Sequence, residues 1–128
     1  MGIAKSTARY KYIERLYREL RTSKKVLFPK MGYQVYAPSK KGVYIIYNKN
    51  NEVVHVGCTP RAKNGIKQRL CNHLQGKSSF VAQFLKRNGA KLRCGYSFRC
   101  LIVDDSCDRK YLEALTIGKL CPKHIGKG

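Results

Sequence analysis

Apolar residues recur at Ile13, Leu16, Tyr17 and Leu20, with Tyr10 one turn earlier, while Lys11, Glu14, Arg15 and Arg18 take the opposite positions. That spacing predicts an amphipathic helix over 6–21, with Ser6 as its N-cap. From 22 to 39 the period breaks. Pro29, Gly32 and Pro38 interrupt a basic segment, in which Tyr33, Val35 and Tyr36 form a candidate short strand. This arm reads either as a strap across the core or as a nucleic-acid contact. Val43, Ile45 and Tyr47 then alternate with Tyr44 and Ile46, Asn48-Lys49-Asn50-Asn51 supplies a turn, and Val53 to Val56 return. The pattern predicts a β-hairpin. Its two strands are apolar on both faces, as central strands covered by helices are.

Gly57 ends the second strand, and Cys58-Thr59-Pro60 opens a loop. Residues 61–76 are predicted helical, with Ile66, Leu70 and Leu74 on one ridge and Arg69 and His73 on another. A further helix over 78–88 would turn Phe80, Val81, Phe84 and Leu85 inward and close at Asn88-Gly89. A third strand is expected over 96–103. Asp104-Asp105-Ser106 then caps a last helix running to about 119, with Leu112, Leu115 and Leu120 inward and Pro122 beyond its end. The sum is an α+β fold, a small central antiparallel sheet of about three strands, hairpin first, flanked by helices. Residues 1–39 form an added N-terminal helix and basic arm, and 40–128 the core.

Charge changes the picture most. The 128 residues include 27 Lys and Arg against 7 Asp and Glu, a formal charge of +20. Self-repulsion on that scale is relieved by a polyanion, and counterion release from DNA or RNA supplies the affinity. No apolar run reaches spanning length and no signal peptide is recognisable, so the expectation is a soluble, intracellular protein with no membrane partner. Cys58, Cys71, Cys94, Cys100, Cys107 and Cys121 form no Cys-x-x-Cys pair and read as reduced thiols. A zinc site from Cys94, Cys100, Cys107 and a histidine is the alternative.

Candidate chemistry comes from a tyrosine on a strand (Tyr44), an arginine with a histidine one turn on (Arg69, His73), and one carboxylate in an otherwise apolar stretch (Glu113). Arginine's planar fork suits a phosphate, and a lone carboxylate suits a hard divalent ion. Each has a plainer reading. Tyr44 could be a core tyrosine, Arg69 one phosphate anchor among many, His73 a packing residue, and Glu113 a partner for Arg109 or Lys110.

Gly42-Val43-Tyr44, ten residues, then His55-Val56-Gly57, followed by Arg69, His73 and Tyr111-Leu112-Glu113, resembles the signature of the GIY-YIG nuclease family. The likeness runs from about residue 40 to the C-terminus. It departs from the family at two places. His55 stands where the second motif tyrosine is usual, and no asparagine follows Pro122, where Lys123 and His124 stand instead. The resemblance implies a metal-dependent endonuclease that hydrolyses DNA phosphodiesters with one Mg²⁺ or Mn²⁺ per site. It implies catalytic roles for Tyr44, His55, Arg69, His73 and Glu113, with Glu113 as the metal ligand. Tyr44 would orient or deprotonate the attacking water, helped by the metal and neighbouring cations that depress its pKa, and His55 would share that task or touch the phosphate. Lys40, Lys41, Arg61, Lys63, Lys67 and Lys77 are expected to contact the backbone of a double-stranded DNA without reading sequence. A double-strand break would need a homodimer or two visits. The alternatives are an inactive or weak nucleic-acid-binding module of the same fold and an RNA-binding protein.

Overall fold

The computed structural model describes residues 2–59 and 65–125. Helix α1 spans Gly2–Thr22. It begins ahead of Ser6, so that residue lies inside the helix and is not its cap. Its buried ridge is Ile13, Leu16 and Leu20, whereas Tyr10 stays exposed. A short strand β1 (Val26–Leu27) follows. Strands β2 (Gly42–Tyr47) and β3 (Val53–Cys58) form the expected hairpin. Then come α2 (Gly65–Leu74), α3 (Ser79–Gln83), a 3-10 turn (Gly89–Arg93), β4 (Ser97–Ile102) and α4 (Ser106–Leu120).

The sheet has four strands in the order β1-β4-β2-β3, every neighbouring pair antiparallel. Three expectations need correcting. Residues 33–36 are not a strand, because the open edge of β4 is taken by Val26 and Leu27 instead. The helix expected over 78–88 stops after Gln83, since Lys86 and Arg87 both turn to positive φ (51° and 66°). The hairpin is not central throughout, because β3 is an edge. The C-terminal tail shields that edge, with the Lys123 and His124 N–H groups donating to the Val53 and Val54 carbonyls.

The strand period of two sends alternate β2 residues to opposite layers. Val43, Ile45 and Tyr47 pack with α1 and α4, while Tyr44 and Ile46 pack with α2 and α3. Between β2 and β3 the pairing runs Ile46 to His55 and then Tyr47 to Val53, so Val54 is an unpaired bulge residue beside His55. Asp105 caps α4 by accepting the Asp108 N–H at 2.8 Å. No helix among the described residues is long and apolar enough to cross a membrane.

Candidate active site

Tyr44 lies fully buried near the start of β2, and its phenol reaches Gly57 of β3. The approach is close enough that a Cβ on Gly57 would stand 2.4 Å from the hydroxyl. Glycine is therefore the residue that lets this ring pass. His73, on the last turn of α2, meets the hydroxyl through Nε2 at 2.7 Å. Its Nδ1 is 2.7 Å from Ser78 Oγ, and Ser78 also caps α3 by accepting the Val81 N–H. Arg69, one turn before His73, lies beside the same phenol, near enough for its guanidinium to favour the ionised form. A guanidinium cannot accept, so the phenol's proton goes to His73 Nε2, and Nδ1–H then donates to Ser78.

Glu113 comes from the opposite layer, on α4. Its carboxyl lies beside the thiol and backbone N–H of Cys58, at the end of β3, and the two groups shift one another's pKa. Among the described residues it forms no ion pair. Arg109 is not its partner, because that guanidinium donates to the Val103 and Asp104 carbonyls at 3.0 and 2.5 Å. The charges of both Arg69 and Glu113 act on the Tyr44 hydroxyl. The three groups thus meet at one end of the hairpin.

His55 stacks on Phe80, ring centroids 4.6 Å apart at 15°, and lies 5.4 Å from the His73 ring. Its Nδ1 is 3.2 Å from His124 Nδ1, and His124 Nε2 is 3.2 Å from Gln83 Oε1. The Gln83 carbonyl accepts from His124 Nε2–H, so His124 Nδ1 accepts from His55 Nδ1–H and His55 Nε2 is left as an acceptor. The tail residue His124 closes the cluster from the β3 edge.

The electrostatics revise two expectations. Burial raises the Tyr44 pKa above its ordinary value, and the opposing Arg69 charge does not overcome it. Without a metal the phenol is therefore neutral at physiological pH, because burial outweighs the acidifying pull of Arg69. Burial, aided by His124 and Arg69, pushes His55 down to about 3, so it is a packed neutral imidazole and a feeble base near neutral pH. Burial and the charges of His55, Arg69 and His124 hold His73 well below its ordinary value too, so in the free protein it is likewise a neutral imidazole and a weak base. Glu113 is raised by burial, and Cys58, buried beside that carboxylate, rises to about 12.

Of the residues expected in a site, Tyr44, His55, Arg69, His73 and Glu113 are brought together. Lys40, Lys41 and Lys77 are exposed and Lys67 is half-buried on α2, while Arg61 and Lys63 lie outside the described residues. Cys94, Cys100 and Cys107 sit on three separate elements, and no group of three His, Cys, Asp or Glu among the described residues could hold an ion, so the zinc alternative is not supported. Ser78, Cys58 and Gln83 were missed. Only Ser78 had a local signal, its place as an N-cap before an apolar run.

A sequence model of the GIY-YIG catalytic domain matches residues 40–118. The GIY-YIG N-terminal endonuclease domain of UvrC from Thermotoga maritima, solved bound to its catalytic divalent cation, magnesium, is similar in fold. Its TM-score is 0.50 at 24% identity, covering 71% of this chain and 89% of that one. A point mutant of the same domain bound to its catalytic divalent cation gives TM-score 0.50 and 24% identity over 72% and 89%. No curated protein sequence matches this chain.

Proposed function

Because the chain belongs to the GIY-YIG family, we propose that it is a metal-dependent endonuclease that hydrolyses DNA phosphodiester bonds. The observation that carries this reading is the Tyr44 hydroxyl held between Arg69 and His73, within the field of Glu113. Hydrolysis joins a water oxygen to phosphorus and breaks the bond to the leaving oxygen. The water's proton passes to the Tyr44 oxygen as the phenol gives its own to His73 Nε2, whose basicity, low in the free protein, the charge of a bound phosphate would raise. A neutral phenol suits that relay, since it accepts and donates in one motion. Ser78 receives Nδ1–H and so steadies the charge that forms on the imidazole. Arg69 grips a non-bridging phosphate oxygen and balances its growing charge.

Glu113 fits a hard divalent ion such as Mg²⁺ or Mn²⁺. It is a half-buried carboxyl with no ion pair among the described residues, and burial outweighs the more distant charges of Arg69 and Lys110 in disfavouring its ionised form. A bound cation would answer that deficit, and phosphate oxygens and water would complete an oxygen-only shell. Such an ion supplies positive charge for the phosphate and acidifies water. The exposed Lys40, Lys41 and Lys77 and the net charge of +20 support a nucleic-acid partner, for which duplex DNA is the reading we adopt.

The test is supercoiled plasmid with Mg²⁺ or Mn²⁺, beside Arg69→Ala and Glu113→Gln. Nicking that falls at least ~100-fold in both variants is expected. Salt-sensitive binding without cutting under either metal would instead mean an inactive binding module. One observation favours that second reading, namely that His124 stands beyond Pro122 and is tied to His55 and Gln83.

A further inference from the structure

Two clefts lie between the 22–39 arm and α2, away from the site described above. The arm is locked in place. Phe28 and Val35 are buried in the core, and the Phe28 N–H donates to Tyr96 O at 3.0 Å. Arg93 donates to the Pro29 and Lys30 carbonyls at 2.9 and 3.1 Å. The Lys67 and Ile66 N–H groups donate to the Pro38 and Lys40 carbonyls. At the bend the Tyr33 N–H reaches Lys30 O at 3.1 Å, with Gly32 at φ +92° in the third position, where a type II turn needs glycine.

From this fixed frame three large side chains face water, Met31 75%, Tyr33 73% and Tyr36 79% exposed. Tyr33 walls a cleft of about 390 Å³ floored by Val35, Cys71 and Leu74. Tyr36 walls its neighbour, about 630 Å³, beside Val35 and Ala37. Lys67 borders both, its ammonium held by Gln34 Oε1 at 3.1 Å. From Leu20 to Val103 the chain carries one acid, Glu52, and that carboxylate is paired with Lys123 at 3.2 Å.

We propose that this arm is a stacking platform for unpaired nucleobases, with Tyr33 and Tyr36 as the two rings and Lys67 and Lys30 gripping the flanking phosphates. Aromatic faces amid cations and free of acids match the two halves of a nucleotide, an apolar disc and an anion. The clefts are of a size to take one small planar group each. Because the backbone is already ordered, little entropy is lost on binding. A duplex keeps its bases stacked on one another and offers these rings nothing. The platform rests on the nucleic-acid part of the function proposed above but not on hydrolysis.

Binding is measured in chelator, so that cutting plays no part, with fluorescent oligothymidine, oligouridine and a blunt duplex of equal length. Tyr33→Ala and Tyr36→Ala should each weaken single-strand binding roughly tenfold and leave duplex binding within about twofold. The Phe variants should bind as the parent does. Melting curves check that the variants remain folded. The strand type showing ring dependence, DNA or RNA, identifies the source of the nucleotides. Ring dependence on neither, an equal loss on the duplex, or Phe variants as weak as Ala would each overturn the platform. Loss of plasmid cutting with this binding intact would count against hydrolysis alone.

Discussion

The two faces of the sheet are built to different rules. On one, Val43, Ile45, Tyr47 and Val56 pack against Ile13, Leu16, Leu20 and Leu112, an almost wholly aliphatic layer. Every acid except Glu52 belongs to α1, α4 or the turn between β4 and α4. On the other face, Tyr44 and Ile46 meet Leu70 and Phe80, with buried His55 and His73 among them. The elements over that face, α2, α3 and the arm, carry no acid at all. The first layer supplies stability at little electrostatic cost. The second accepts buried polar groups, each needing a partner, and leaves its outer surface free for a polyanion. One strand, β2, serves both layers through its alternation. Glu113 is the exception that reaches across, from the acidic layer to the other's tyrosine.

The sharpest way to break this division is to truncate neighbouring β2 residues that face opposite ways. Ile45→Ala should lower unfolding free energy by about 2–5 kcal/mol, read by denaturant titration, while the folded fraction cuts at the parent's rate. Tyr44→Phe should cost only about 1–3 kcal/mol, through the unpaired His73 nitrogen, and should abolish cutting. If the two variants behave alike, the faces are not functionally distinct.

Gly57→Ala probes where the layers touch. A methyl 2.4 Å from the Tyr44 hydroxyl must push the ring or strand aside, at about 1–3 kcal/mol. Cutting should fall further than thermal stability does. An alanine variant that melts and cuts like the parent would mean the tyrosine is not held by that approach.

Acid should find the polar face first. The folded chain holds His55 down to about 3 against an ordinary 6.5, so below pH 6.5 the unfolded chain takes up a proton that the folded one refuses. Stability contributed by this group is intact above pH 6.5 and is lost as pH falls from there toward 3. The slope approaches about 1.4 kcal/mol per pH unit. His55→Gln should flatten the stability profile in that window by about one proton's worth. An unchanged slope would show that the imidazole titrates normally.

On the scaffold face the expected effects are small. Asp105→Ala removes the α4 cap and should cost about 1 kcal/mol with cutting unchanged. A loss of cutting there would imply that the cap sets the position of Glu113.

Legibility followed the range of the interactions. The Asp105 cap, the hairpin and the inward Leu112 depend on neighbours a few residues away, and their patterns stand in the sequence. Phe80, Val81, Phe84 and Leu85 have a helical period too, yet α3 stops because residues 86 and 87 turn left-handed, bringing Gly89 against the end of α2. There a Cβ would meet the His73 and Leu74 carbonyls at 2.4–2.5 Å. Tyr33, Val35 and Tyr36 are residue types that favour strands, but the β4 edge beside them is taken by Val26 and Leu27. The motif spacing pointed to Tyr44, Arg69 and Glu113. Cys58 and Gln83 act only through contacts that span 55 and 41 residues along the chain, and no local pattern marks them.

The order of apolar and charged residues was enough to determine the hairpin, the flanking helices and the family, because these rest on periodicity and motif spacing. Folding alone decided the protonation of the site. Whether a phenol or an imidazole is acidic depends on how far water is excluded and which charges lie within a few ångströms, and those distances exist only once the layers have closed.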